Sequence, residues 1–267
     1  MIGIAVAAVA LVALYAPVLR DLVSVWVSVP YYSYGTLVVP FSGYLIWESR
    51  AVLRCSAPRR APEGLVVATL GLGVLAAGLT AGSLALRALS VPVVASGTAL
   101  FFLGRERWKT IAFPLAFLGF MAPLPDAAIS RLSLPLQFLA AWVTEKTLAL
   151  VGIPVARDGL FVHLHSVTLH VTEACNGLRF LFAMIVVGVA FAWATQRRLA
   201  ARALVVSLAI TVAILANDVR VATTGLLAHG WGASAAMGFF HLAYGKVVYL
   251  ALLAPFVLGA VRFRSRA

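Results

Sequence analysis

Residues 171–195 read VTEACNGLRFLFAMIVVGVAFAWAT, a short polar segment followed by a long apolar run. The apolar run, residues 177–195, is close to the length of about 20 residues that an α-helix needs to cross a bilayer. Cys175 lies where the two parts meet, and the N–H groups at the start of a helix favour a thiolate, the nucleophilic form of cysteine. The stretch therefore predicts a membrane helix with a reactive cysteine at its polar end.

The whole chain has the composition of a membrane protein. Of its 267 residues, 63% are apolar and 11% are charged, and the mean hydropathy is +1.01. Soluble domains carry about 25% charged residues. The net charge of +12 does not indicate nucleic-acid binding, because the arginines flank apolar segments instead of forming one basic face. We predict a single integral-membrane domain over residues 1–267 that contacts lipid and binds no nucleic acid.

Eight apolar segments are candidates for transmembrane helices, and they predict an all-α polytopic fold. They are residues 2–19, 34–48, 65–86, 88–104, 110–124, 177–195, 203–219 and 242–261. The first has no polar n-region and no clear cleavage site, so we interpret it as a retained span and not as a signal peptide. Two segments are short and only Arg87 separates the third from the fourth, so the count holds to about one either way.

The basic residues are distributed unevenly among the connections between these segments. Those that follow the second, fourth, sixth and eighth segments include Arg50, Arg54, Arg59, Arg60, Arg105, Arg107, Lys109, Arg197, Arg198, Arg202, Arg262, Arg264 and Arg266. Cytoplasmic loops of membrane proteins carry such an excess. We therefore predict cytoplasmic termini, with residues 31–35, residues 123–172 and the set Cys175, Arg220 and His241 outside the cytoplasm. Cys55 then lies on the other side of the membrane, so no disulfide with Cys175 is expected.

The long outer segment contains two predicted elements. Residues 132–152 are helical in pattern, with a polar interruption at residues 145–147, which is consistent with a short extracytoplasmic helix or a ninth span. Residues 160–173 alternate in part between apolar and polar side chains and are rich in β-branched residues. They predict a β-hairpin outside the hydrocarbon region that leads the chain to Cys175.

Three polar residues at the ends of apolar segments, Cys175, Arg220 and His241, are the candidate catalytic group. Each alone has an ordinary structural explanation: a small buried thiol, an arginine that reaches the headgroups, and a histidine at a helix start. Together they match a nucleophile, a donor to an oxyanion or a carboxylate, and a general base. If Cys175 opens a helix, the i,i+4 spacing places Arg179 on the same face, where it favours the thiolate or pairs with Glu173.

Three histidines, His163, His165 and His170, raise the question of a metal site. No acidic or cysteine residue stands at a recognised zinc spacing, and no His-Glu-x-x-His motif occurs. We predict no metal site and no cofactor.

The ordered motifs resemble those of the exosortase/archaeosortase family of membrane cysteine transpeptidases. Residues 173–179, EACNGLR, resemble the family's Glu-Ala-Cys-Ser-Gly-Leu-Arg segment, Asn217 to Arg220 resembles Asn-x-x-Arg, and His241 with Gly245 resembles the last motif. Further similar segments are residues 31–35 (YYSYG), 121–125 (MAPLP), 136–137 (LQ) and 152–155 (GIPV). The chain departs from the family pattern at Asn176, which replaces a serine, and at Tyr34, which replaces a histidine.

This resemblance implies a bacterial cytoplasmic (inner) membrane protein with its active site on the extracytoplasmic face. Its substrates would be membrane-tethered proteins with a C-terminal Pro-Glu-Pro sorting signal, and the released chain would pass to a cell-surface acceptor. Cys175 would form a thioester, Arg220 would hold the oxyanion or orient the substrate, and His241 would act as the base. Glu173, Arg179 and Asn217 would support the site or bind substrate.

Two other classes of protein are compatible with parts of the pattern. A polytopic carrier or lipid flippase could use intramembrane Arg and His to bind its substrate, but it would not require the thiol. An enzyme that acts on lipid-linked sugars would more naturally place acidic residues at the outer face, and Asp126, Asp158 and Asp218 form no obvious cluster in the sequence.

Overall fold

The computed structural model describes residues 2–55, 60–165 and 167–232. The described chain is largely helical and contains one small sheet. The helices are α1 (Ile2–Ser28), α2 (Gly35–Glu48), α3 (Arg50–Cys55), α4 (Glu63–Thr80), α5 (Leu84–Leu103), α6 (Arg105–Phe117), α7 (Asp126–Leu150), α8 (Leu178–Thr195) and α9 (Leu199–Trp231). The strands are β1 (Val155–Asp158), β2 (Phe161–Leu164) and β3 (Thr168–His170).

Several described helices are long and apolar enough to cross a membrane. Five meet both conditions, within α1, α4, α5, α9 and the segment Glu173–Thr195, and a sixth results if Arg105–Met121 and Asp126–Leu150 form one broken span. The prediction of a polytopic helical membrane protein is therefore confirmed. The count of eight stays a prediction, and its last span, residues 242–261, lies outside the described residues.

Two of the predicted helix boundaries are wrong, one at an ion pair and the other at a glycine turn. α1 continues through Arg20 and Asp21, because the Asp21 carboxylate pairs with the Arg87 guanidinium of α5 at 3.0 Å. Arg87 itself lies in the first turn of α5 and not in the connection. The connection is residues 81–83, where Gly82 takes a positive φ of 62° and the Ser83 hydroxyl accepts the N–H of Leu86 at 3.4 Å.

The chain forms two compact units, and the first ends at Pro125. Within it, α4 and α5 pack with their backbones in close approach at two glycines. A Cβ on Gly97 would meet the backbone N of Ala68, and a Cβ on Gly71 would lie 2.8 Å from the backbone N of Val94. Small residues at the contact are a common means of packing helices in a membrane, where apolar side chains gain little by leaving lipid.

The second unit begins at Asp126 and holds α7, α8, α9 and the sheet. The sheet is antiparallel in the order β1-β2-β3, and the segment predicted as a hairpin contains β2 and β3, paired with Phe161 opposite His170. The sheet also contains β1, which was not predicted from the sequence. Along β2, Val162 and Leu164 are buried and their neighbours are exposed, so one face of the sheet packs against Ala141 and Leu148 of α7.

Candidate active site

Cys175 ends a short 3-10 turn, Glu173–Cys175, that carries the chain from β3 to α8. Its N–H donates to the carbonyl of Thr172 at 2.8 Å, and Gly177 then takes a left-handed φ of 73° before α8 begins at Leu178. The prediction that Cys175 opens the helix is therefore wrong by three residues. The left-handed turn at Gly177 is the physical reason, because it interrupts the helical backbone two residues after the cysteine.

The same interruption separates Cys175 from Arg179. The two residues do not share a helical segment, so the i,i+4 relation predicted for them does not hold. Arg179 is exposed in the first turn of α8, and Glu173 is exposed at the start of the 3-10 turn. Their proposed supporting roles rest on sequence alone.

Two side chains of α9 hold the turn that carries Cys175. Asn217 Nδ2 donates to the carbonyl oxygen of Cys175 at 2.8 Å. Arg220 Nη2 donates to the carbonyl oxygen of Ala174 at 3.2 Å and to Asn217 Oδ1 at 3.1 Å. The structure thus brings together the segments of two of the three predicted catalytic residues, and it gives Asn217 the role of bridging them.

The sequence predicted that Arg220 lies at a helix end, and this prediction is wrong. α9 spans 33 residues and continues through Trp231, well beyond the polar Asn217–Arg220 segment. The helix does not need to end there, because the polar side chains find hydrogen-bond partners inside the protein. Asn217 and Arg220 are buried, with 3% and 9% of their surfaces exposed.

A second set of buried polar residues reaches the turn from α7 and was not predicted from sequence. Ser133 Oγ accepts one hydrogen bond from Gln137 Nε2 at 2.7 Å and another from Asn176 Nδ2 at 2.7 Å. Asn176 Oδ1 in turn accepts the N–H of Leu178, the first residue of α8, at 2.9 Å in an Asx turn. No sequence pattern marked Ser133 as a partner of the turn, because its contact with Asn176 spans 43 residues.

A small cavity lies beside this turn, with room for about one water molecule. Its polar lining comes from Asn176, Gly177, Asn217 and Asp218, and its apolar lining from Leu136, Leu181, Ala213 and Ile214. Cys175 is half-buried, whereas the three residues that follow it are buried. The backbone on either side of the cysteine is thus fixed from α7 and α9, and part of the cysteine stays accessible.

His241, the predicted base, lies outside the described residues. Among the residues that the structure describes, no three His, Cys, Asp or Glu side chains form a group that could hold a metal ion. His163 Nδ1 hydrogen-bonds to Thr168 Oγ1 at 3.0 Å, and the His170 ring stacks on Phe161 with 4.4 Å between centroids.

A family model described as transmembrane exosortase (Exosortase_EpsH) matches residues 26–258, a range that includes Cys175, Arg220 and His241. No curated protein and no solved structure matches the chain.

Proposed function

The chain belongs to the transmembrane exosortase family, as the match over residues 26–258 shows, and from this membership we propose that it is a membrane cysteine protease or transpeptidase. The family suggests an enzyme that processes a sorting signal, and so implies membrane-associated substrates. The proposed substrate is an exported protein whose C-terminus carries a Pro-Glu-Pro signal, a membrane helix and a basic cluster.

The proposed reaction is acyl transfer through Cys175. The thiolate attacks the scissile carbonyl carbon, the peptide C–N bond breaks, and a thioester forms as the amine leaves. His241 takes the thiol proton and returns it to the leaving amine. An acceptor nucleophile at the cell surface, or water, then attacks the thioester and restores the free thiol.

Arg220 is proposed to stabilise the charge that develops beside Cys175. A guanidinium is permanently charged and carries its N–H donors in a planar fork, and the bonds to Ala174 and Asn217 place Nη2 of Arg220 beside the turn that carries Cys175. Donors aimed at a developing oxyanion contribute about 3–4 kcal/mol each in well-studied enzymes. This is the contribution that loss of Arg220 would remove, together with its hold on the turn.

One observation carries the proposal: Asn217 and Arg220 hydrogen-bond to the carbonyls of Cys175 and Ala174 across 42 and 46 residues of sequence. A cysteine that serves only as a small apolar side chain does not need its backbone fixed by two buried polar residues of another helix. A nucleophile does, because its position relative to the scissile carbonyl determines the rate.

The test is a processing assay in membranes. A tagged reporter that ends in a Pro-Glu-Pro signal, a membrane helix and basic residues is co-expressed with the wild type, with Cys175→Ala or with Cys175→Ser. We expect a size shift of the reporter with the wild type and no shift with either variant. Cys55→Ala is the matched control, because it removes the other cysteine of the chain, and it should process normally.

Two outcomes would contradict the proposal. Equal processing by the wild type and Cys175→Ala would remove Cys175 as the nucleophile. Transport or binding activity that survives Cys175→Ser, without processing by any form, would favour a carrier or flippase. The Arg220→Ala and His241→Ala variants should accumulate no trapped thioester on Cys175. A normal yield of this thioester in either variant would refute the role proposed for the substituted residue.

A further inference from the structure

Two buried polar residues of helix α7, Ser133 and Gln137, form a hydrogen-bonded group with Asn176 of the turn that carries the nucleophile. Ser133, Gln137 and Asn176 are exposed by only 4%, 6% and 3%, and two hydrogen bonds of 2.7 Å meet at Ser133 Oγ. Buried polar groups cost free energy unless they are paired, and a fully paired network fixes one geometry. Apolar residues of similar size would fill the same space, so the network's distinctive contribution is geometric.

The hydrogen bond between Ser133 and Asn176 fixes the backbone next to the proposed nucleophile. Asn176 directly follows Cys175, and its side chain bonds both to Ser133 of α7 and to the N–H of Leu178 at the start of α8. On the other side, Asn217 of α9 holds the Cys175 carbonyl. The cysteine is therefore fixed between two helices, and α7 supplies one of the two attachments.

We propose that Ser133 and Asn176 are positioning residues that hold the Cys175 turn in register with Arg220 for acyl transfer. Gln137 contributes by orienting the Ser133 hydroxyl, since its amide donates to the same oxygen. This inference rests on the proposed function for its catalytic consequence, but the attachment itself can be tested on the thiol alone. It also gives a reason for asparagine at position 176, because the terminal amide of this side chain spans the gap to Ser133.

The experiment uses the full chain in a Cys55→Ala background and compares Ser133→Ala, Asn176→Ala and the double variant. Reporter processing is measured in membranes, and the rate of Cys175 alkylation by iodoacetamide is measured on purified protein. Loss of the attachment should slow processing by about tenfold or more, as expected when a reacting group is misplaced by a fraction of an ångström. Alkylation of the half-buried thiol should become faster, because the turn is released.

Two comparisons separate positioning from general loss of stability. The double variant should be less impaired than the sum of the two single effects, since both substitutions remove the shared bond between Ser133 and Asn176, whereas independent damage would add fully. Ser133→Thr keeps the hydroxyl and should restore both readouts. Thr144→Ala is the control: it also deletes a hydroxyl on α7 at a residue with no exposed surface, and its Oγ1 has no hydrogen-bond partner among the described residues.

The outcomes are distinct for the inference and for the proposed function. Wild-type alkylation and processing in stable Ser133→Ala and Asn176→Ala proteins would overturn the inference, as would effects that add in the double variant. If no form processes the reporter while alkylation responds in the predicted non-additive way, the attachment stands and the proposed function fails. If reporter processing requires Cys175 but is unchanged in Ser133→Ala, the proposed function stands and the inference fails.

Discussion

Gly177 links the nucleophile turn to α8 at a point where the backbone is left-handed, with φ of 73°. A Cβ there would lie 2.6 Å from Cγ of Asn217, the side chain that holds the Cys175 carbonyl. Gly177→Ala would therefore add left-handed strain of about 1–2 kcal/mol and also displace Asn217. We expect reporter processing to fall by about 100-fold, together with a lower unfolding temperature of the purified protein.

The control for this substitution is Gly152→Ala, between α7 and β1. Gly152 has a similar φ of 82°, but a Cβ there would meet nothing within 4 Å. It should lower the unfolding temperature through strain and leave processing near the wild-type rate. Equal loss of processing in the two variants would show that strain, and not displacement of Asn217, determines the effect.

Individual site residues differ in how far the sequence could reveal them. Cys175 and Arg220 were chosen because a thiol and a guanidinium are unusual among apolar residues, and hydrogen bonds through Asn217 now join their segments. The partnership of Ser133 with Asn176 spans 43 residues, and a serine in a helix has no distinguishing pattern. Only the fold shows that its hydroxyl meets the residue after the cysteine.

At the scale of elements, the sequence located the apolar helices better than it located their ends. The predicted span 203–219 stopped at the polar Asn217–Arg220 segment, but α9 runs from Leu199 to Trp231. The predicted first span stopped at residue 19, but α1 continues to Ser28. In both cases a polar residue inside the helix has a partner on another segment, and local composition carries no information about that partner.

The close packing of α4 against α5 gives a prediction for the first unit. A Cβ on Gly97 would meet the backbone N of Ala68 and lie 2.8 Å from its Cα, so the helices must separate to accept it. Overpacking of this kind costs about 1–3 kcal/mol. We expect Gly97→Ala to lower the unfolding temperature in detergent, followed by circular dichroism.

Gly73 provides the comparison within the same helix pair. It is exposed on α4, and a Cβ there would meet nothing within 4 Å. Gly73→Ala should keep or slightly raise the unfolding temperature, because alanine favours helix more than glycine does. If Gly97→Ala and Gly73→Ala both unfold at the wild-type temperature, close backbone approach does not stabilise the packing of α4 against α5.

At the scale of the molecule, α8 separates the candidate site from a basic connection. The Cys175 turn precedes the first residue of α8, and Arg197, Arg198 and Arg202 follow its last. An 18-residue helix is about 27 Å long, close to the thickness of the hydrocarbon core. If the arginines are cytoplasmic, as the distribution of charge predicts, the site lies at the opposite face, where an exported substrate would meet it.

Cysteine labelling tests this orientation within the second unit. In a Cys55→Ala, Cys175→Ala background, Asp158→Cys places a thiol on exposed β1, and Leu199→Cys places one at the start of α9, where the leucine is 80% exposed. A membrane-impermeant maleimide should label Asp158→Cys in intact cells and Leu199→Cys only after permeabilisation. The reverse pattern would put the site in the cytoplasm, where a signal on an exported chain could not reach it, and would exclude the proposed reaction whatever the chemistry of Cys175.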